Sequence, residues 1–143
     1  MAHSMISRYL MLGSLLIALS VLSGCGGGDS GTVKVSGTVK YADGTIPAGE
    51  IAVIRFEPAT PGPKAKAASG DIKPDGSFVL TTMMPGDGAF PGEYKVTLSV
   101  FDKYAPPRKE LVAEAFTKAA TTTLTATVKQ SGDKFDFVAE KAK

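Results

Sequence analysis

The chain has 143 residues, among them 16 Lys and Arg, 14 Asp and Glu, one His and one Cys. Charge so close to balance gives no electrostatic attraction for nucleic acid, and no nucleic-acid partner is expected. A single cysteine excludes an intrachain disulfide, so the fold must be stabilised by its core alone.

The N-terminal segment predicts a signal peptide over residues 1–24. Residues 1–8 carry Arg8 and no acidic residue, and residues 9–22 form an apolar run. This run has the length of a secretory core segment and falls short of the ~20 apolar residues that span a bilayer. The run ends at Leu22, and Ser23 and Gly24 follow it directly before Cys25.

Residues 22–25 resemble the lipobox of bacterial lipoproteins, in which an aliphatic residue and two small residues precede a cysteine. The resemblance implies that the signal peptidase recognises Leu22, Ser23 and Gly24 and that Cys25 receives the lipid. The protein is then exported and anchored through Cys25 in a membrane of the cell envelope, at its periplasmic face. By analogy with enterobacterial sorting, the absence of Asp after Cys25 favours the outer membrane. The alternatives are an uncleaved membrane anchor and an ordinary signal peptide with an incidental cysteine.

Cleavage before Cys25 removes the first 24 of 143 residues and leaves 119, enough for the core of one domain. It also removes His3, the single histidine. The mature chain then has no imidazole and, with Cys25 modified, no thiol. The usual general bases, zinc ligands and cysteine nucleophile are therefore missing, and we expect no catalytic residue, no metal site and no cofactor.

Residues 25–32 predict the lipidated cysteine followed by a flexible, glycine-rich tether. Gly26, Gly28 and Gly31 match the dinucleotide-binding pattern G-x-G-x-x-G. That pattern requires a strand before it and a helix after it, whereas here a signal peptide precedes it and a predicted strand follows. The match is therefore spurious.

The remainder of the chain predicts one all-β domain over residues 33–143. Apolar and polar residues alternate most clearly at 33–41 and 93–101, the pattern of half-buried strands. Residues 51–57 are apolar on both faces apart from Arg55, which indicates a central strand. Turn residues predict hairpins at 73–76 and 131–133, and residues 102–120 predict a long crossing loop with at most a short helix. Seven short strands are typical of a β-sandwich, here at 33–41, 51–57, 67–72, 77–82, 93–101, 121–130 and 134–139.

Three segments occur in a familiar order: residues 35–39 (VSGTV) continuing into 43–47 (DGTIP), residues 75–78 (DGSF), and residues 91–96 (PGEYKV). Together they resemble the carboxypeptidase regulatory-like and transthyretin-like domains that are common in bacterial envelope lipoproteins. The resemblance implies a single seven-stranded, Greek-key-type sandwich of the prealbumin or immunoglobulin-like kind, which serves as an accessory module. Transthyretin-related hydrolases are similar in fold but rely on histidine, which the mature chain lacks.

Four aromatic residues in or next to predicted loops are candidates for a ligand or partner surface: Phe90, Phe101, Tyr104 and Phe116. They either stack on a glycan or a partner, or pack against the rim of the sandwich. Aromatic residues at alternating strand positions, in contrast, predict the core: Phe78, Tyr94, Phe135 and Phe137.

Other side chains have two interpretations each. Arg55 is either an anion anchor or a snorkelling or ion-paired arginine at a sheet edge. Glu110 and Glu114 are four residues apart on a possible helix, either as a carboxylate pair or as solvated surface. Met83 and Met84 are either an adaptable contact surface or loop packing.

The sequence therefore favours a lipid-anchored cell-envelope protein without enzymatic activity, whose sandwich contacts envelope proteins or cell-wall polymers. The alternative is a carbohydrate- or small-ligand-binding envelope lipoprotein, motivated by the aromatic residues in the loops. A third interpretation is a hydrolase that uses Asp, Glu or Ser without His.

Overall fold

The computed structural model describes residues 31–63 and 65–143. This part of the chain is all-β and contains no α-helix, only a single 3₁₀ turn at Glu114–Phe116. None of its helical segments is long and apolar enough to cross a bilayer. The predicted signal peptide (1–24) and the predicted lipidation of Cys25 lie outside the described residues. The strands are β1 (Val35–Tyr41), β2 (Ile51–Pro58), β3 (Ala68–Asp71), β4 (Ser77–Val79), β5 (Gly92–Phe101), β6 (Thr125–Val128) and β7 (Asp133–Ala139).

The first sheet has three strands in the order β4-β1-β7. Strand β1 pairs antiparallel with β4 and runs parallel to β7 along the full length of both strands. The alternation predicted for residues 33–41 is confirmed, because the apolar side chains of one face of β1 are buried, those of Val35, Val39 and Tyr41.

The second sheet has four antiparallel strands in the order β3-β2-β5-β6. Strand β2 lies between β3 and β5, which confirms the central position predicted from its apolar residues. The inward face of β5 is also confirmed, with Tyr94, Val96, Leu98 and Val100 all buried.

The core lies between the two sheets, as in a β-sandwich, and an aromatic cluster occupies part of it. Phe56 of β2 is fully buried at the centre of this cluster. Its ring centroid lies 5.7–6.2 Å from those of four other aromatic rings, which belong to Phe78, Tyr94, Phe135 and Phe137. These four are the aromatic residues that strand alternation predicts to be in the core.

Two turns connect strands differently from the predicted hairpins. After the turn at 73–76, β4 forms its ladder with β1 and β3 forms its ladder with β2, and a single bridge between Ser69 and Thr81 joins β3 to β4. After the turn at 131–133, β7 pairs with β1 while β6 pairs with β5, so the hairpin prediction there is wrong. Both turns carry the chain from one sheet to the other, which lets each strand bury its apolar face against the opposite sheet.

Residues 102–120 form the predicted crossing segment. Glu110 forms a bridge with Phe101 at the end of β5, and Val112 forms a bridge with Lys141 just after β7. This segment therefore connects the edges of the two sheets on one side. Phe116, in the 3₁₀ turn, is 8% exposed and packs into the core.

The domain has two opposite ends, which are named here the entry end and the far end. At the entry end the chain arrives through residues 31–34, β1, β3, β5 and β7 begin, and β2, β4 and β6 finish. The far end carries the opposite termini of these strands, the loop 102–109 and the C-terminal residues 140–143.

Candidate functional site

The structure separates the four aromatic residues that the sequence offered as a surface. Phe116 is buried in the core, and Phe90 is half-buried at the entry end. Phe101 is half-buried and Tyr104 is 68% exposed, both at the far end. Strand β5 (Gly92–Phe101) begins two positions after Phe90 and ends at Phe101, and its ten residues extend about 30 Å at roughly 3.3 Å per residue. Only Phe101 and Tyr104 belong to one surface.

The loop that presents Tyr104 is held by polar contacts. The backbone N–H of Tyr104 donates to a carboxylate oxygen of Glu50 at 2.7 Å. The guanidinium carbon of Arg108 lies 4.2 Å from the ring centroid of Phe101, a cation–π contact. The ring of Tyr104 is thus exposed on a backbone that Glu50 anchors.

The far end also carries an open groove of about 290 Å³. Its polar lining consists of Tyr41, Thr45, Lys109, Glu110 and Lys141. A second groove, of about 550 Å³, lies next to it and shares Glu110 and Lys141 with it.

Tyr41 forms one wall of the groove as the last residue of β1. Its hydroxyl donates to the carbonyl of Leu111 at 2.9 Å. Burial, together with the negative charges of Glu110 and Asp43, raises the pKa of Tyr41 above its usual value. The phenol therefore keeps its proton at neutral pH, and that proton is already engaged by a backbone carbonyl.

An ion pair lies next to Tyr41. The Nζ of Lys141 lies 2.6 Å from Oδ2 of Asp43 and 5.3 Å from the ring centroid of Tyr41. The other oxygen of Asp43 accepts hydrogen bonds from the backbone N–H and the hydroxyl of Thr45, at 3.0 and 2.6 Å. The hydrogen bonds from Lys141 and Thr45 hold the pKa of Asp43 well below its usual range, which makes this carboxylate a weak base.

Glu110 and Glu114 are not a pair on a helix. Glu114 lies in the 3₁₀ turn, exposed, with Lys118 Nζ at 2.7 Å from its carboxylate. Glu110 lies in the crossing segment, where its Oε1 accepts the backbone N–H of Val100 at 3.0 Å. Burial raises the pKa of Glu110, despite this hydrogen bond and the nearby charge of Arg108. Solvated surface thus describes Glu114 but not Glu110.

Three further aspartates stabilise turns. Asp75 Oδ1 accepts the backbone N–H and hydroxyl of Ser77, and the carboxylate of Asp133 accepts two backbone N–H groups in the turn before β7. These hydrogen bonds lower the pKa of both aspartates. Asp87 accepts three backbone N–H groups of residues 82–84, at 2.7–3.1 Å. Among residues 31–63 and 65–143, no three His, Cys, Asp or Glu side chains are placed to hold a metal ion.

Arg55 lies on the outer face of β2 with 56% of its side chain exposed, and its Nε pairs with the carboxylate of Glu57. The ion pair predicted for Arg55 is therefore confirmed, but its predicted position at a sheet edge is wrong, because β2 lies between β3 and β5.

The far end offers hydrogen-bond donors and acceptors, one exposed aromatic ring and charges of both signs. The side chains of Tyr41, Thr45, Glu110 and Lys141 in the groove each have a hydrogen-bond or ion-pair partner within the protein. Sequence analysis did not connect Tyr41, Glu110 and Lys141, because they are 31 or more positions apart and carry no shared motif. Of this surface, the positions in or next to a predicted loop singled out Phe101 and Tyr104.

Comparisons with protein-family models, with curated proteins and with solved structures found no match for this chain.

Proposed function

We propose that this protein is a lipid-anchored, non-enzymatic module of the cell envelope that presents its far end to envelope proteins or cell-wall polymers. One observation carries the proposal: an apolar segment ends in Leu22, and Ser23 and Gly24 follow it directly before Cys25, eight positions ahead of Val33, which pairs with Ala89 in the domain. Diacylglyceryl attachment at Cys25 anchors the protein firmly, since two acyl chains hold where one is marginal.

The roles of the carboxylates support a non-enzymatic interpretation. Asp43, Asp75, Asp87 and Asp133 each accept hydrogen bonds from turn residues, and all four have lowered pKa values. A carboxylate with a lowered pKa is a poor general base at neutral pH. These side chains stabilise turns at the ends of strands.

A prealbumin-like, Greek-key arrangement is part of the proposal. It is supported by the motifs at 35–47, 75–78 and 91–96 and by two sheets of three and four strands in which the first and last strands run parallel. Domains of this kind act as accessory modules, in agreement with an anchored protein that binds rather than catalyses.

Lipidation is tested in intact cells by labelling with a fatty acid and by measuring the mass of the N-terminal peptide. The full chain is expected to carry lipid on Cys25 and to sediment with membranes. The matched control Cys25→Ala is expected to lose both properties. A native chain that begins at Met1 without lipid, or that stays in the soluble fraction, would contradict the proposal.

The partner is tested by cross-linking in intact cells with native protein and two variants. Tyr104→Ala removes the exposed ring of the far end, and Val79→Ala removes a side chain of 46% exposure at the entry end, where β4 finishes. We expect Tyr104→Ala to reduce capture of envelope proteins or wall fragments and Val79→Ala to leave it unchanged. If Tyr104→Ala captures as much as the native protein does, the binding surface lies elsewhere on the domain.

A second candidate function, binding of a carbohydrate or other small ligand, is favoured by the groove beside Tyr41 together with the exposed ring of Tyr104. Stacking on an aromatic ring and hydrogen bonds to mixed donors and acceptors suit a hydroxyl-rich ligand. A glycan screen on the domain should then give binding that Tyr104→Ala and Lys141→Ala both weaken. A screen without any binding would reject this function and leave the anchored module in place.

A further inference from the structure

Two large apolar side chains are exposed side by side at the tip of the loop after β4. Met83 is 47% exposed and Met84 is 67% exposed. Adjacent exposed methionines differ from scattered apolar surface residues, because they form a continuous, adaptable contact.

This tip is held rigidly at the entry end. The N–H of Gly88 donates to the carbonyl of Leu80 at 3.0 Å and closes the loop, and Asp87 accepts the N–H groups of both methionines. The loop is also joined to the incoming chain, because Val33 and Ala89 exchange two backbone hydrogen bonds at 2.8 and 3.0 Å. The methionines therefore lie at the end of the domain where the tether arrives.

The tether limits how far this end can stand from the anchor. Cys25 and Gly31 are six residue steps apart. Since an extended chain spans at most about 3.5 Å per residue, their Cα atoms lie within about 21 Å of each other. A lipid on Cys25 thus keeps the entry end, and with it the methionine tip, close to the bilayer.

The entry end also carries charged side chains. Met83 Sδ lies 3.6 Å from Nζ of Lys66. The entry end carries four exposed lysines, Lys34, Lys66, Lys129 and Lys134. Its acidic residues are Glu57, Asp87, Glu93 and Asp133, and the two aspartates turn their carboxylates to backbone N–H groups. Lys66, which contacts Met83, suits the phosphate-bearing headgroups of a bilayer beside the tip.

We propose that Met83 and Met84 insert into the bilayer surface beside the anchor, so that the entry end rests on the membrane and the far end points away from it. The inference rests on the proposed lipidation of Cys25 and adds the orientation of the domain to it. The membrane contact is apolar at the two methionines and electrostatic at the neighbouring Lys66.

The chain contains no tryptophan, so a single introduced indole reports its own surroundings. Met84→Trp and the matched control Tyr104→Trp place this reporter at opposite ends, both at positions that are about two-thirds exposed. Each full-length protein is purified from membranes with its lipid and reconstituted in vesicles of phosphatidylethanolamine and phosphatidylglycerol, with and without lipids brominated along their acyl chains. We expect the emission of Met84→Trp to shift to shorter wavelength and to lose most of its intensity with brominated lipid, while Tyr104→Trp changes in neither respect.

The other outcomes overturn the inference in distinguishable ways. If the mass of the N-terminal peptide shows lipid on Cys25 but Met84→Trp is not quenched, the inference fails and the anchored module stands. If both reporters are quenched, the domain lies on its side and the proposed orientation is wrong. If Cys25 carries no lipid, the proposed function fails, and the orientation that depends on it fails too.

Discussion

Gly37 is the position at which one added methyl group tests the pairing of the first sheet. It lies in the middle of β1, opposite Phe78 of β4 and Phe135 of β7. A Cβ there would lie 1.9 Å from the carbonyl oxygen of Phe135 and 2.8 Å from the ring of Phe78, whereas ordinary contacts begin at 3.4 Å. Because the closer atom belongs to the backbone, Gly37→Ala must move β7 away from β1 by about 1.5 Å, the difference between the two distances.

The expected loss follows from that displacement. N–H···O bonds in a ladder are about 2.7–3.2 Å long, so the opening breaks one or two of them at a net cost of about 1 kcal/mol each. Overpacking against the aromatic ring adds about 1–3 kcal/mol. We expect the free energy of unfolding to fall by about 3 kcal/mol, which lowers Tm by about 12 °C in a domain of about 100 residues. Thermal and urea unfolding followed by circular dichroism measure both quantities.

Gly44→Ala is the matched control. Gly44 has φ +85° and no atom within 4 Å of an added Cβ, so the substitution introduces backbone strain without a clash. Its expected cost is about 1 kcal/mol. If Gly37→Ala destabilises the protein no more than Gly44→Ala does, the close parallel pairing of β1 with β7 at this register is refuted.

Three further predictions concern the core and two carboxylates. Phe56→Ala should lower the free energy of unfolding by about 3–5 kcal/mol, because it leaves a cavity at the centre of the aromatic cluster. Val138→Ala truncates a side chain that is 47% exposed on β7, and an equally small loss for Phe56→Ala would contradict the buried position of Phe56. For Asp87, burial alone raises the pKa but the loop N–H groups outweigh it, so the net pKa is lowered. Its contribution to stability is therefore present above pH 3.8 and lost as the pH falls through the lowered folded value. Asp87→Ala should be less stable than the native chain at pH 7, with faster proteolysis in its loop, and should match it in strong acid; a difference that persists there would argue against the carboxylate as its cause. Burial raises the folded pKa of Glu110 above 4.5, so ionisation above that value destabilises the fold. Glu110→Gln, which can still accept from Val100, should be more stable at pH 7, with a gain that shrinks as the pH falls towards 4.5; a loss at pH 7 would show that the ionised carboxylate is needed.

Most strands of this fold are predictable from sequence because each sheet has one face in the core. Period-two alternation located β1 and β5 within one or two residues, and the two-sided apolar pattern around Arg55 indicated that β2 is central. These strand positions could be predicted because the alternation of residue types reflects which face of each strand is buried.

Strand pairing was less predictable because turn chemistry is local. Asp75 and Asp133 do form tight turns by accepting nearby N–H groups, as residues of that type do. A turn of this geometry can close a hairpin within one sheet or connect two different sheets. The choice depends on which distant strand completes each ladder, here β1 for both β4 and β7.

The far-end groove was beyond sequence analysis for the same reason. Tyr41 has the pattern of an ordinary core residue of β1, and Lys141 has that of a charged residue near the C-terminus. The crossing segment brings Glu110 to them through its bridge with the end of β5. No periodicity or spacing marks such a meeting of three separate segments.

The two ends of the domain limit the partners that the proposed anchor allows. Strand β5 has ten residues and β1 has seven, so the two ends are separated by about 20–30 Å at roughly 3.3 Å per residue. If the methionine tip rests on the bilayer, Tyr104 and the groove stand at least that far above the membrane surface. Lipid headgroups cannot reach them there, whereas an extended polymer of the cell wall or a second envelope protein can. The orientation inferred from Met83 and Met84 therefore favours the same two classes of partner as the chemistry of the far end.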